Sequence, residues 1–186
     1  MPAVVAALAF KGDWGSAQVA AGIRQNVYAL GANVADREIG WRVDAGASIN
    51  LTSAITLLAR AYYSDGFNAH SSLAVGDVVA VPPGVIGDNV EEWMVMVGLA
   101  VALRPDVTAS VSAAYAEAEP GSIPAPFPAS FLGTEVFQAV GTVFWTPVRN
   151  LELGVEVAYT DVDYGFLTGS LDGDAISVAF EATRKF

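Results

Sequence analysis

The sequence predicts an all-β fold, an antiparallel transmembrane β-barrel of which about nine strands are present. Three observations lead there. Short apolar segments alternate with a period of two, no segment keeps a 3.6-residue period, and the connections alternate between short and long. Composition agrees. Of 186 residues, 53% are hydrophobic and only 16% charged, and mean hydropathy is positive. No apolar run reaches the roughly 18–20 residues of a spanning helix. The longest, 3–10 and 93–103, match the roughly 9–11 residues of a tilted membrane strand.

The strands are read at 3–11, 15–28, 39–51, 54–64, 92–103, 107–117, 136–145, 151–160 and 175–186. In the first, Val4, Ala6, Leu8 and Phe10 share a face. The second sets Val19, Ala21 and Ile23 against Gln18 and Arg24. The third sets Trp41, Val43, Ala45, Ala47 and Ile49 against Arg42, Asp44, Ser48 and Asn50. Ile55, Leu57, Ala59, Ala61 and Tyr63 of the fourth oppose Thr56 and Arg60. The fifth carries Trp93, Val95, Val97, Leu99, Val101 and Leu103 on one face. In the sixth, Val107, Ala109, Val111, Ala113 and Tyr115 oppose Thr108, Ser110 and Ser112. The seventh offers Phe137, Val143 and Trp145. Leu151, Leu153, Val155, Val157 and Tyr159 of the eighth oppose Glu152 and Glu156. The ninth sets Ile176, Val178, Phe180 and Phe186 against Ser177, Glu181 and Thr183.

A soluble sandwich buries its apolar face and wets the other, so one strand does not decide between water and lipid. The connections do. Residues 12–13, 52–53, 104–106 and 146–150 are short, whereas 29–38, 65–91, 118–135 and 161–174 are longer. Short turns on one rim and long loops on the other are the arrangement of outer-membrane barrels. Aromatics fall at segment ends, at Phe10, Trp41, Tyr63, Trp93, Tyr115, Trp145, Tyr159 and Phe186. Such positions suit girdles at both membrane interfaces, although aromatics are also good strand residues anywhere. The apolar face is therefore assigned outward and the polar face inward, the inversion that lipid requires.

Other features bound the function. Cysteine is absent, which removes disulfides, thiolate metal sites and cysteine nucleophiles. A net charge of −11 argues against a nucleic-acid partner. Met1-Pro2 shows no basic leader, so an exported protein has lost its N-terminus or begins upstream. Asp161, Asp163, Asp172 and Asp174 bracket the last long connection, and solvated loop carboxylates outweigh a calcium site there. His70, beside Ser71 and Ser72, lacks the orienting acid that a hydrolase needs. Residues 120–128 form a proline-rich loop tip. No cofactor, metal or catalytic residue is assigned.

Residues 143–156, Val-Phe-Trp-Thr-Pro-Val-Arg-Asn-Leu-Glu-Leu-Gly-Val-Glu, resemble the penultimate hairpin of Gram-negative porins. The likeness is to the alphaproteobacterial porin family and the DcaP-like porins. Their chains carry a similar Trp-Ser/Thr-Pro-Val turn followed by a Leu-x-Leu-Gly-x-Glu strand. The ending Phe180-Glu181-Ala182-Thr183-Arg184-Lys185-Phe186 is similar to their closing strand, whose terminal Phe belongs to the barrel-assembly signal. Trp14-Gly15 and Tyr62-Tyr63-Ser64-Asp65-Gly66 also look like these families. The likeness covers most of the chain as a pattern and is specific only at residues 145–156 and the last strand.

What the resemblance implies is a non-enzymatic outer-membrane porin, a water-filled channel for small hydrophilic solutes and ions, with 1–186 as one barrel domain. It implies outer-membrane lipid and lipopolysaccharide around the wall, recognition by the barrel-assembly machinery through Phe186, and a homotrimer. Three departures stand out. Such porins have about 16 strands, so this chain looks like their C-terminal half. Their inward constriction loop has no counterpart here, and Arg184 falls on the apolar face. The expected pore-lining residues are Arg24, Arg42, Asp44 and Arg60 on one arc and Glu152, Glu156 and Glu181 on another. Arginines would favour anions, and opposed charges would orient dipolar solutes; equally, these charges pair with wall neighbours. The alternative function is a small closed barrel acting as an anchor or adhesin without an open pore. A soluble all-β domain is the alternative at the level of fold.

Overall fold

Alternation along each strand becomes a two-faced sheet only if the strands pair in register. In the computed structural model, residues 3–30, 33–67, 89–120, 133–166 and 169–184 are described. Nine strands lie in one sheet in chain order, every neighbouring pair antiparallel. They are β1 (Val4–Gly12), β2 (Gly15–Leu30), β3 (Asn33–Asn50), β4 (Ile55–Asp65) and β5 (Val90–Arg104). The series continues with β6 (Val107–Pro120), β7 (Gly133–Val148), β8 (Leu151–Phe166) and β9 (Gly169–Arg184). The described residues contain no helix. The sheet is not closed: β1 and β9 are its two edges.

Register keeps the faces apart. Ile49, Leu57, Leu99, Val111, Gly141, Val157 and Val178 are successive partners across β3 to β9, forming one apolar row. Exposure follows the faces with unusual polarity. On β5, Val95 and Val97 are 48% and 55% exposed, while Glu92 and Met94 on the other face are 0% and 7% exposed. The small buried core of Tyr62, Met94 and Ala116 also lies on the polar face. Short turns close the strands at one end. Asn150 takes a left-handed φ of 68° in the β7–β8 turn, a conformation that asparagine tolerates. Thr52 Oγ1 accepts from the amides of Ala54 and Ile55 at 3.1 and 3.0 Å in the β3–β4 turn.

Three expectations need correction. Residues 29–38 and 161–174 are not long connections, because β2 runs to Leu30, β3 starts at Asn33, β8 runs to Phe166 and β9 starts at Gly169. Cross-strand pairing there overrides the turn-like composition of Asn33, Asp36 and Asp163. Only the β4–β5 and β6–β7 connections are long; they lie at the same end as the short β2–β3 and β8–β9 connections, opposite the turns β1–β2, β3–β4, β5–β6 and β7–β8. The polar face, moreover, is mixed. Tyr62, Met94, Met96 and Phe144 belong to it by register, since strand parity assigns a face without regard to side-chain chemistry.

The third correction concerns the chain leaving β4. A β-strand end with a free path across the sheet needs neighbours without side chains. Gly66, at φ 62°, turns the chain over β3, and a Cβ on Gly40 would run into the Gly66 carbonyl. Phe67 then rests against Gly22 of β2. The start of this connection therefore lies on the polar face, where the sequence reading placed no inward loop.

Candidate functional site: the polar face and the aromatic belt

Arg24, Arg42 and Arg60 stand on β2, β3 and β4 and do share the polar face, but their roles differ. Arg24 is committed to structure. Its Nε and Nη2 donate to the Gly66 carbonyl at 3.2 and 3.0 Å, and Nε also donates to Asn26 Oδ1 at 2.9 Å. Its guanidinium lies 4.9 Å from the Phe67 ring centroid. Asn26, buried beside it, donates to the same carbonyl at 2.8 Å and to Asn89 Oδ1 at 3.1 Å. These bonds pin both ends of the β4–β5 connection against β2 and β3.

Asp44 joins the other two arginines. Arg60 grips it with two bonds, Nη2 to Oδ2 at 2.6 Å and Nε to Oδ1 at 3.2 Å, the fork geometry that favours Arg–carboxylate pairs. Arg42 Nη2 reaches Asp44 Oδ2 at 3.1 Å. The Arg42 side chain is only 12% exposed, against 49% for Arg60. Arg42 also stacks on the Tyr62 ring, 3.8 Å from its centroid, and Tyr62 donates its hydroxyl to Glu92 Oε1. A hollow of about 330 Å³ opens beside the cluster, bounded by Gln18, Gly22, Arg42, Asp44, Arg60 and Phe67.

The acidic arc is different. Glu152 and Glu156 on β8 are exposed. Glu181 on β9 accepts a 2.7 Å bond from Thr183 Oγ1. No hydrogen bond or ion pair holds Glu152 or Glu156 among the described residues, whereas Arg24, Arg42 and Arg60 across the sheet are each held.

The aromatic positions split between the two ends of the strands. Trp41, Tyr63, Trp93, Tyr115 and Tyr159 lie toward the long connections, Phe10 and Trp145 toward the short turns. Neighbours touch along the belt: Trp41–Tyr63 at 5.2 Å, Trp93–Tyr115 at 5.3 Å and Phe137–Tyr159 at 6.5 Å between ring centroids. Phe137 completes this belt and was missed as a member because it was read only as an apolar strand residue. Each belt tyrosine donates its hydroxyl to a carboxylate further toward the connections: Tyr63 to Glu91 at 2.7 Å, Tyr115 to Glu135 at 2.7 Å, Tyr159 to Asp161 at 3.2 Å. At the other end Trp145 Nε1 donates to Asp106 Oδ2 at 3.0 Å. Phe186, His70, Ser71 and Ser72 lie outside the described residues.

Beyond the belt, Asp161 faces Asp174 and Asp163 faces Asp172 as cross-strand partners. The Asp163 carboxyl is pushed above the ordinary range. Partial loss of water comes first, then the hydrogen bond with Asp172 and the charges of Asp172, Glu135 and Asp161. Among the described residues no group of three or more His, Cys, Asp or Glu is arranged to hold a metal ion. Residues the sequence reading overlooked include Glu92, Tyr62, Asn26 and Phe67. For Glu92 the signal was present: it stands one position from Trp93 and so faces the polar side. Compared with family models, curated proteins and solved structures, the chain matches none.

Proposed function

We propose that this chain builds part of the wall of an outer-membrane pore in a Gram-negative bacterium. The pore is a water-filled channel through which small hydrophilic solutes and ions diffuse. One observation carries the reading: across nine strands in register, between the aromatic belt and the short turns, one face is apolar and exposed and the other holds Arg42, Asp44, Arg60, Glu152 and Glu156. Lipid favours that inversion, because burying apolar strand faces in hydrocarbon leaves charges to the lumen. The apolar band has the right height. Residues 55–63, 107–115, 137–145 and 151–159 each run nine positions between an aromatic near one rim and the turns at the other, within the roughly 9–11 needed by a tilted strand.

Strand parity supports a larger barrel. With nine antiparallel strands, β1 and β9 run the same way, so joining them makes a parallel seam. An odd number of further strands keeps every pairing antiparallel, and about seven would give the 16 of an open porin channel. The edges need such partners, since hydrocarbon does not tolerate unpaired backbone groups. In this reading lipid and lipopolysaccharide surround the apolar face, Phe186 serves barrel assembly, and three copies associate. Those partners, and a non-enzymatic role, rest on the porin resemblance.

On the polar face, Arg60 is the most exposed of the charges in the cluster around Asp44 and favours anions, while Glu152 and Glu156 favour cations on the opposite arc. Planar-bilayer recordings of the purified protein test the proposal: large open conductance steps are expected. Replacing Arg42 and Arg60 by alanine should lower anion preference. A folded barrel without conductance would support a plugged anchor instead. That second reading is favoured by the complete burial of Ser64, Glu92 and Thr134 on the polar face, each at most 1% exposed.

A further inference from the structure

We propose that Glu92 is a positioning residue: through Tyr62 it holds Arg42 against the wall, so that Arg60 rather than Arg42 meets ions in the lumen. This rests on the pore reading of the polar face. Arg42, Ser64 and Glu92 are successive partners on β3, β4 and β5, so the cation and the carboxylate share one cross-strand row. Tyr62 lies in the adjacent row, beside Asp44, and its side chain links the two.

Each member alone is in a poor state. Glu92 is fully buried, and its Oε2 has no hydrogen-bond partner. Arg42 Nη1 is likewise buried without one. Leaving buried charges unsatisfied costs more than the bonds they make elsewhere return. Together they are compensated. The Tyr62 hydroxyl donates to Glu92 Oε1, which fixes the ring and enriches it in electron density. The enriched ring face then holds the Arg42 guanidinium, a contact that strengthens when desolvated. Arg42 spends its remaining contact on Asp44 Oδ2, already gripped by Arg60. Swinging Arg42 into the lumen would break the ring contact and the Asp44 bond together. Arg60, although gripped by Asp44, is not held by a ring and is already half exposed.

The test needs no current to be read. In the full chain folded into detergent, phenylglyoxal modification of each arginine is mapped by mass spectrometry. Arg42 is expected to be protected and Arg60 reactive. Tyr62→Phe keeps the ring and cuts the link to Glu92, and should raise Arg42 labelling several-fold with Arg60 unchanged. Glu92→Leu should do the same, whereas Glu92→Gln, which still accepts from the hydroxyl, should restore protection. In bilayers, Tyr62→Phe should shift the reversal potential toward anions. Equal Arg42 labelling in wild type, Tyr62→Phe and Glu92→Leu overturns the positioning role. Should Glu92→Leu fail to fold, Tyr62→Phe decides alone. A protein that shows this labelling pattern without conductance overturns the pore reading and keeps the positioning of Arg42.

Discussion

The two ends of the sheet carry charge on the same face and treat it in opposite ways. Across β2 to β5 the charges are folded into one another: Arg24 onto Gly66, Arg60 and Arg42 onto Asp44, Arg42 onto Tyr62, Tyr62 onto Glu92. Across β8 and β9, Glu152 and Glu156 stand exposed without such partners among the described residues, and Glu181 has only Thr183. The first arc is built to hold a conformation. The second leaves its charge exposed. The difference teaches that a count of charges along a wall does not measure its field; what matters is how many are neutralised in place.

The largest expected effect tests whether the arcs differ on the polar face alone. Val97→Arg on β5 and Val157→Arg on β8 place the same charge on the apolar face of each arc. Both should lower the unfolding free energy in lipid vesicles by about 2–4 kcal/mol. Unequal losses would mean the arcs do not share one hydrocarbon environment. Next comes Asp44→Ala, which leaves two guanidinium groups short of a partner and should cost about 1–3 kcal/mol. The counterpart Glu156→Ala should stay within about 0.5 kcal/mol, as surface substitutions do. Urea titration of the vesicle-inserted protein compares them, and similar losses would erase the contrast.

The smallest effect lies beyond the belt, where Asp163 faces Asp172. A carboxyl whose folded pKa is raised binds more protons in the native than in the unfolded chain. Its contribution therefore favours folding in acid and is lost as pH climbs past the ordinary value of 3.8 through the raised one. Asp163→Asn should stabilise the protein at pH 7 and leave it unchanged at pH 3. The same unfolding titration at two pH values checks this, and equal effects at both would remove the role assigned to Asp172.

Much of the fold was legible before any pairing was known. All nine strands, their order along the chain and the face of each outward residue follow from alternation. The register honours that assignment at Val43, Tyr63, Trp93 and Val95 alike. The ends of β2, β3, β8 and β9 were not legible, because Asn33, Asp36 and Asp163 favour turns until a neighbouring strand supplies their hydrogen bonds. At the site, the placement of Arg24, Arg42 and Arg60 on one face was readable, as was Asp44 as a neighbour. That Arg24 serves Gly66, 42 residues away in sequence, was not.

Period-two patterning, composition and the spacing of turns thus determined an antiparallel sheet with an apolar face. Side chains in a strand have only two directions, and local chemistry suffices to label them. The tertiary structure alone decided which charges are free. Asp44, Tyr62 and Glu92 meet Arg42 because register places three strands side by side. Gly66 crosses the sheet because Gly40 offers no side chain to stop it. Partners that lie across strands are set by pairing geometry, which no single segment of the chain encodes.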